Sequence, residues 1–255
     1  MILEYLFFLL ISTSKIAQPY IHLCAAFTTN IFLLAQPQMH LTRMVLTTAL
    51  YASKTEASWK WMNHDAPASS PVDQDVIIHT PPDTDIWRPS LSKDNFTAPY
   101  LYTQVRTSEF QSVSVTVQAN WRTLFDQGGI AITFPQDNAP ISWIKAGIEY
   151  TDGAPYLGVV ATEKLSDWSL SPVSNPSVPN FATFEIARDG TDAWVYVVEG
   201  NSRRPLRQIT WAFNENPAEF MHVGIYAAKP TREAESGHES DKLAVTFKSF
   251  AITTK

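Results

Sequence analysis

From Ser58 onward, apolar and polar side chains alternate in short runs that are separated by clusters of Pro, Asn, Asp and Ser. The clearest run is 112–120, in which Val113, Val115 and Val117 alternate with polar residues. A period of two places the apolar side chains on one face of a strand and the polar ones on the other. No window of 11 residues carries a helical stripe, so the pattern predicts an all-β domain.

The same alternation predicts about a dozen strands. They are residues 59–62, 75–79, 100–106, 112–120, 125–134, 141–150, 156–163, 182–188, 193–199, 206–213, 221–228 and 243–253. Two packed sheets are the usual arrangement for so many strands. Turn residues at Gly190 and Gly200 predict a meander over 182–213, and the apolar period shifts near Lys248 and Ser249, which predicts a bulge. The stretch 229–242 contains Pro, Gly and many charged residues, which predicts a long solvated loop.

Segments 125–134 and 141–150 carry an unusual set of side chains. Alternation assigns Ile130, Ile132, Phe134, Ile144, Ala146 and Ile148 to the core, and it assigns Gln127, Trp143, Lys145 and Glu149 to the opposite face. Lys145 and Glu149 lie roughly 13 Å apart on one strand at ~3.3 Å per residue, so we do not expect them to pair. This half-polar face is the candidate site. The alternative is a solvated face with incidental charges.

Two other segments place an acidic residue beside an aromatic ring. Asp85 and Trp87 share a face if their segment is extended, and Asp167 and Trp168 follow a predicted strand. Such a pairing suits the hydroxyls and the C–H face of a sugar. The alternative in both cases is a turn-forming Asp with a Trp packed in the core. The predicted ligand-binding residues are Asp85, Trp87, Gln127, Trp143, Lys145, Glu149, Asp167 and Trp168.

Catalytic and metal-binding patterns fit the chain poorly. Glycoside hydrolysis needs two carboxylates at a defined separation, and Glu149 would have to act with Asp126 or Asp167 from another segment. The six His residues lack metal-ligand spacing, and a phosphate-binding loop and a nucleophile elbow are both absent from the sequence. We therefore expect a non-catalytic binding domain without metal or cofactor. A glycoside hydrolase or lyase that uses Glu149 is the alternative.

Charge and cysteine content narrow the classes of partner. The first 57 residues hold three basic and two acidic residues, which leaves 16 basic and 23 acidic residues, a net charge of −7, on residues 58–255. An acidic domain without a basic cluster is not expected to bind nucleic acid or anionic membranes. The single cysteine, Cys24, precedes this domain, which therefore forms no disulfide; this is typical of a reducing compartment.

Residues 1–57 differ in character from the remainder. The apolar run 5–11 has the length of a signal-peptide core, but Glu4 stands where a basic residue is expected. No run approaches the ~18 to 20 apolar residues of a membrane-spanning helix. An unstructured leader, or a true start at Met44 or Met62, is favoured over a targeting signal cleaved near Ala26, which would imply secretion.

Five motifs occur together between Trp59 and Ile252. They are Asp83-Thr-Asp-Ile-Trp87, Phe125-Asp-Gln-Gly-Gly-Ile130, Trp143-Ile-Lys-Ala-Gly-Ile-Glu-Tyr150, Val159-Val-Ala-Thr162 with Ser166-Asp-Trp-Ser169, and Val223-Gly-Ile-Tyr226. In order and spacing they resemble the family of concanavalin A-like domains of unknown function that includes the fungal regulation-of-enolase proteins.

That resemblance implies a concanavalin A-like jelly-roll sandwich of two antiparallel sheets over residues 58–255. It also implies a cytoplasmic protein that influences enolase, whereas the fold is shared with lectins and glucanases and does not by itself fix a function. The expected partners are a carbohydrate or sugar phosphate in the concave face and enolase at the outer surface or rim. A protein-interaction module without a small ligand is a further alternative.

Overall fold

The structure is a computed structural model that describes residues 58–136, 141–173, 180–214, 218–233 and 241–255. The interpretations of residues 1–57 as a leader, signal or late start lie outside the described residues. Within the described ranges the chain forms fifteen strands, and every pairing between these strands is antiparallel. The same ranges contain no helix with the length and apolarity that crossing a bilayer requires.

Seven strands form the larger sheet. In spatial order they are β1 (Trp59–Met62), β5 (Tyr100–Arg106), β14 (Phe220–Ala228), β7 (Gln127–Phe134), β8 (Ser142–Thr151), β9 (Ala154–Thr162) and β10 (Ser166–Pro172). Six strands form the second sheet, in the order β13 (Ser202–Ile209), β12 (Asp192–Glu199), β11 (Phe181–Asp189), β6 (Phe110–Ala119), β15 (Leu243–Thr254) and β2 (Val76–Thr80). The predicted two-sheet sandwich is therefore confirmed.

The core lies between the inner faces of the two sheets. Ile130 and Ile132 on β7 are fully buried, as are Val113, Val115 and Val117 on β6. The alternating apolar positions of the sequence thus fill the space between the layers, which confirms their assignment. Burial of each such side chain stabilises the fold by about 1.5–3 kcal/mol relative to leaving it exposed.

A short hairpin covers part of the outer face of the larger sheet. It consists of β3 (Ile86–Ser90) and β4 (Lys93–Phe96). Arg88 N donates a 2.8 Å hydrogen bond to Ser166 Oγ at the start of β10, which ties the hairpin to the sheet edge. A second, smaller apolar cluster fills the space under the hairpin; its fully buried members include Ile86, Ala98, Tyr100 and Trp143.

Local features of the second sheet follow the sequence closely. Strands β11, β12 and β13 pair in succession, which confirms the meander, and Gly190 and Gly200 adopt positive φ at its two turns. Pairing between β15 and β6 shifts register between Lys248 and Ala251, with Ser249 at φ 51°, which confirms the bulge.

Two parts of the sequence interpretation need correction. The strands β3, β4 and β10 were not predicted, because short strands that carry Pro, Asp and Ser have no clear alternation. Lys229 was assigned to a long solvated loop over 229–242, yet its side chain is completely buried. Residues 234–240 of that loop lie outside the described residues.

Candidate functional site

A cavity of about 180 Å³ opens on the outer face of the seven-stranded sheet, beside the β3–β4 hairpin. This volume is below the roughly 300–1,000 Å³ of most ligand pockets, so the cavity suits a small molecule. Four polar side chains and three aromatic rings line it: Asp85, Gln127, Lys145, Glu149, Trp87, Phe125 and Trp168.

A row of glycines crosses the sheet beside the cavity. Gly129, Gly147 and Gly158 are paired in one row across β7, β8 and β9. A Cβ atom on Gly147 would lie 2.0 Å from Gly128 O on the next strand, so only glycine fits there. A Cβ atom on Gly158 would lie 3.3 Å from Glu149 Oε2, a tight contact, and 3.7 Å from Trp168 Nε1. Gly158 thus lies next to two side chains that line the cavity.

Lys145 forms the centre of a polar network on one side of the cavity. Its Nζ donates a 2.6 Å hydrogen bond to Gln127 Oε1 and lies 3.9 Å from Asp85 Oδ1. Gln127 Nε2 in turn donates to Asp85 Oδ1 over 3.4 Å, and Ile86 N donates to the same oxygen over 2.8 Å. Lys145 is nearly completely buried, so its charge is compensated within the protein by this network.

Glu149 is the direct cross-strand partner of Gln127, so it lies beside that network. Burial raises the pKa of its carboxyl group, and the positive charge of Lys145 opposes this effect. The negative charge of Asp85 raises the pKa further. The indole nitrogen of Trp168 favours the ionised form, although it completes no hydrogen bond of normal geometry with the carboxylate. The cavity therefore contains an acidic group that is poorly compensated.

Two other titratable groups respond to the same surroundings. Burial raises the pKa of Asp85, while Lys145 opposes the shift. Burial raises the pKa of Tyr226 well above its usual range, and the carboxylates of Glu149 and Asp85 add to that effect. Lys145 Nζ lies 5.8 Å from the centroid of the Tyr226 ring. One cation therefore lies near three groups that become anionic when they lose a proton, namely Asp85, Glu149 and Tyr226.

Three aromatic rings wall the cavity. Trp168 on β10 meets Trp87 of the hairpin edge-to-face at 6.5 Å and 78°, and it meets Phe125 in the same way at 6.2 Å and 76°. Because these rings are nearly perpendicular to one another, both ring faces and ring edges border the space between them. Such faces bind the C–H surface of a sugar ring or a cation.

Phe125 is held in an unusual backbone conformation. Its φ is 66°, a left-handed value that is rare for a bulky residue and is found where the surrounding structure imposes it. The Asp126 carboxylate accepts hydrogen bonds from Arg122 N and Thr123 N and so closes the turn. Asp126 in turn lies 3.3 Å from Lys229 Nζ, and both side chains are fully buried. This ion pair positions Phe125 at the cavity.

Six of the eight predicted ligand-binding residues line this one cavity. Trp143 lies on the same face of β8 but is covered by the hairpin, with Phe96 edge-on at 5.6 Å and the Arg88 guanidinium 4.4 Å above its ring. Asp167 lies outside as well, because neighbours on a strand point to opposite faces and Trp168 occupies the cavity side. Asp167 is exposed and pairs with Arg207 instead.

Asp126, the other acid proposed as a partner for Glu149, faces Lys229 and does not line the cavity. Asp85 does line it and is the second carboxylate there. The sequence interpretation missed Phe125 and Gly158. The signal for Gly158 was its place in the alternation of β9, where Leu157 and Val159 are buried in the core and Gly158 falls on the outer face.

No cluster of three or more His, Cys, Asp or Glu side chains in the described part of the chain is arranged to hold a metal ion.

Comparison with known proteins identifies one family and two similar fungal proteins. A family model described as "Protein of unknown function (DUF1349)" matches residues 61–255. The uncharacterized protein AN7484 of Emericella nidulans is 36% identical over 166 residues, which are 65% of this chain and 82% of that protein. Regulation of enolase protein 1 of Saccharomyces cerevisiae is 33% identical over 96 residues, which are 38% of this chain and 46% of that protein.

Solved structures agree on the fold. A functionally unknown protein from Saccharomyces cerevisiae aligns with a TM-score of 0.62 at 24% identity, over 77% of this chain and 96% of that one. The GH43 BlXynB protein from Bacillus licheniformis aligns with a TM-score of 0.52 at 14% identity, over 71% of this chain and 33% of that one. At such identities the likeness establishes a jelly-roll sandwich and no activity.

Proposed function

The chain belongs to the DUF1349 family of proteins of unknown function, and we propose that its sandwich is a non-catalytic domain that binds a small carbohydrate. One observation carries the proposal: hydrogen-bonding side chains and aromatic rings converge on one cavity. Sugars combine hydroxyls, which bond to carboxylate and amide groups, with apolar faces, which pack on rings.

The charge of the cavity favours some carbohydrates over others. Asp85 and Glu149 face a single cation, Lys145, so the ionised cavity carries a net negative charge. A sugar phosphate would add negative charge to a buried site that already has an excess, at a considerable free-energy cost. We therefore favour a sugar without phosphate over the sugar phosphate that the sequence left open.

Calorimetry with a panel of simple sugars tests the proposal. Trp168→Ala should abolish binding, since it removes the ring that contacts both other aromatic walls. Trp194→Ala is the matched control, because Trp194 is half-buried and stacks on Tyr196 in the other sheet. Absence of binding across sugars and sugar phosphates would instead support a protein-interaction module.

A hydrolytic or lyase function is the second candidate, and one observation favours it. Burial raises the pKa of Glu149, which is the condition that a general acid requires in a glycosidase. Its partner would be Asp85, since Asp126 and Asp167 lie outside the cavity. Turnover of a chromogenic glycoside that is lost in Glu149→Gln would establish this function and overturn the non-catalytic one.

An effect on enolase is a separate proposal that draws on the name of the Saccharomyces relative. Such a contact would use the rim or outer surface, because the cavity is too small for a protein segment, and it would require a cytoplasmic location. Co-precipitation of enolase by the wild type and by Trp168→Ala tests it. Equal recovery would place the contact away from the cavity, and cell fractionation would test the compartment.

A further inference from the structure

Glu149 differs from the other charged groups of the cavity in having, among the described residues, neither a close ion pair nor a hydrogen bond of normal geometry. Asp85 accepts two hydrogen bonds, from Ile86 N and Gln127 Nε2, and has Lys145 at 3.9 Å. Among the described residues, none makes an ion pair within 4 Å of the Glu149 carboxylate or a hydrogen bond of normal geometry with it, although Glu149 is only 8% exposed.

A buried carboxylate is costly when its lost hydration is only partly replaced. Lys145 offsets part of this cost for Glu149, but its hydrogen bond goes to Gln127, its nearest acid is Asp85, and the loss of hydration remains the larger effect. A cationic group on the ligand would restore the balance: two carboxylates would then face two cations. We therefore expect the ligand to supply a positively charged group that pairs with Glu149.

The indole nitrogen of Trp168 lies beside this carboxylate. Trp168 Nε1 is buried and, among the described residues, completes no hydrogen bond of normal geometry. A Cβ atom added to Gly158 would lie 3.3 Å from Glu149 Oε2 and 3.7 Å from Trp168 Nε1, so both groups border the same small space. The carboxylate and the indole N–H attract each other without completing that bond, so a ligand group between them can donate to one and accept from the other. An ammonium group satisfies the carboxylate but cannot accept a hydrogen bond from an indole N–H.

A molecule with an amine and a hydroxyl on adjacent carbons satisfies both. We propose that the cavity binds a sugar with a free amino group, a hexosamine, whose ammonium contacts Glu149 and whose neighbouring hydroxyl accepts a hydrogen bond from Trp168 Nε1. This inference rests on the proposed carbohydrate function and names the class of sugar. An N-acetylated sugar lacks the charge, and a simple alkylammonium ion lacks the hydroxyl.

Calorimetry with glucosamine, glucose and N-acetylglucosamine tests the inference on the full chain. Glucosamine should bind at least about tenfold more tightly than glucose, since a charge-assisted hydrogen bond replaces a neutral one. Glu149→Gln keeps the shape of the side chain and should abolish this difference. Asp167→Asn, which neutralises an exposed acid outside the cavity, should preserve it.

The pH dependence supplies an independent measurement. The charged groups that face Glu149 are Lys145 and Asp85, with Tyr226 neutral up to high pH. Glucosamine affinity should fall at acidic pH as Glu149 takes up a proton, and at alkaline pH as the amine loses one. Glucose affinity should lack the alkaline decrease. A flat profile for glucosamine would contradict the inference.

The remaining outcomes separate the inference from the function on which it rests. If glucose and glucosamine bind equally well and both depend on Trp168, the carbohydrate function stands and the hexosamine inference is wrong. If Glu149→Gln binds glucosamine as tightly as the wild type, the inference is also wrong. If no sugar binds the wild type, both proposals are overturned.

Discussion

Lys145 Nζ donates a 2.6 Å hydrogen bond to Gln127 Oε1 on the adjacent strand, and Gln127 is itself the direct cross-strand partner of Glu149. Sequence spacing already separated Lys145 from Glu149. The structure adds that Gln127 and Asp85 take up the lysine, so that one carboxylate remains free for a ligand. The Asp85 carboxylate is therefore better compensated than the Glu149 carboxylate in the same cavity.

Removal of the Lys145 cation should destabilise the protein. Lys145→Met leaves Asp85 and Glu149 buried without a positive charge, which should reduce the free energy of unfolding by about 3 kcal/mol in urea denaturation at neutral pH. The matched control is Lys248→Met, because Lys248 is exposed and lies 3.8 Å from Asp75; its loss should be below ~1 kcal/mol. Equal losses in the two variants would contradict the assigned network.

Neutralising Glu149 should stabilise the unliganded protein at neutral pH. Since burial raises its pKa, the folded state binds the proton more tightly than the unfolded state does, and stability decreases as pH rises from the usual Glu value through the raised one. Glu149→Gln should therefore melt at a higher temperature than the wild type at neutral pH, with the difference disappearing in acid. A lower melting temperature at neutral pH would show that the carboxylate is compensated after all.

The buried ion cluster around Lys229 should control both stability and the site. Its Nζ lies 3.3 Å from Asp126 and Asp241 and 3.4 Å from Glu233. Lys229→Met should reduce the free energy of unfolding by about 3–5 kcal/mol and weaken sugar binding, since the turn that presents Phe125 loses its support. Arg106→Met, which removes an exposed cation paired with Glu219, should cost below ~1 kcal/mol and leave binding unchanged.

Two glycine variants should separate binding from folding. Gly158→Ala places a methyl group 3.3 Å from Glu149 Oε2 and 3.7 Å from Trp168 Nε1, so the Glu149 carboxylate must shift by a few tenths of an ångström; sugar binding should weaken at least about tenfold, with a small change in stability because that side chain can move. Gly153→Ala has free space but a φ of 77°, so it should lower stability by about 1 kcal/mol and leave binding intact. Calorimetry and urea denaturation on both variants check this. The same effect from both would argue against a place for Gly158 beside the ligand.

The sheets and their inner faces could be predicted from the sequence because a strand repeats every two residues. The runs around Val115, Ile132 and Ile144 have an unbroken alternation, and all three side chains are fully buried. Alternation also correctly placed Gln127, Lys145 and Glu149 on a common outer face. It could not show that β3 and β4 cover Trp143, since contacts between distant segments leave no period in the chain.

The fold class, the buried faces and most of the residues that converge on the cavity follow from local periodicity, so they could be read from the chain alone. Which polar groups pair with which depends on the folded arrangement. Lys145 bonds Gln127, Asp167 turns to Arg207 and Lys229 is buried beside Asp126, all through contacts between segments far apart in the chain. The weaker compensation of the Glu149 carboxylate results from those pairings, since the compensation of a charge depends on its neighbours in space.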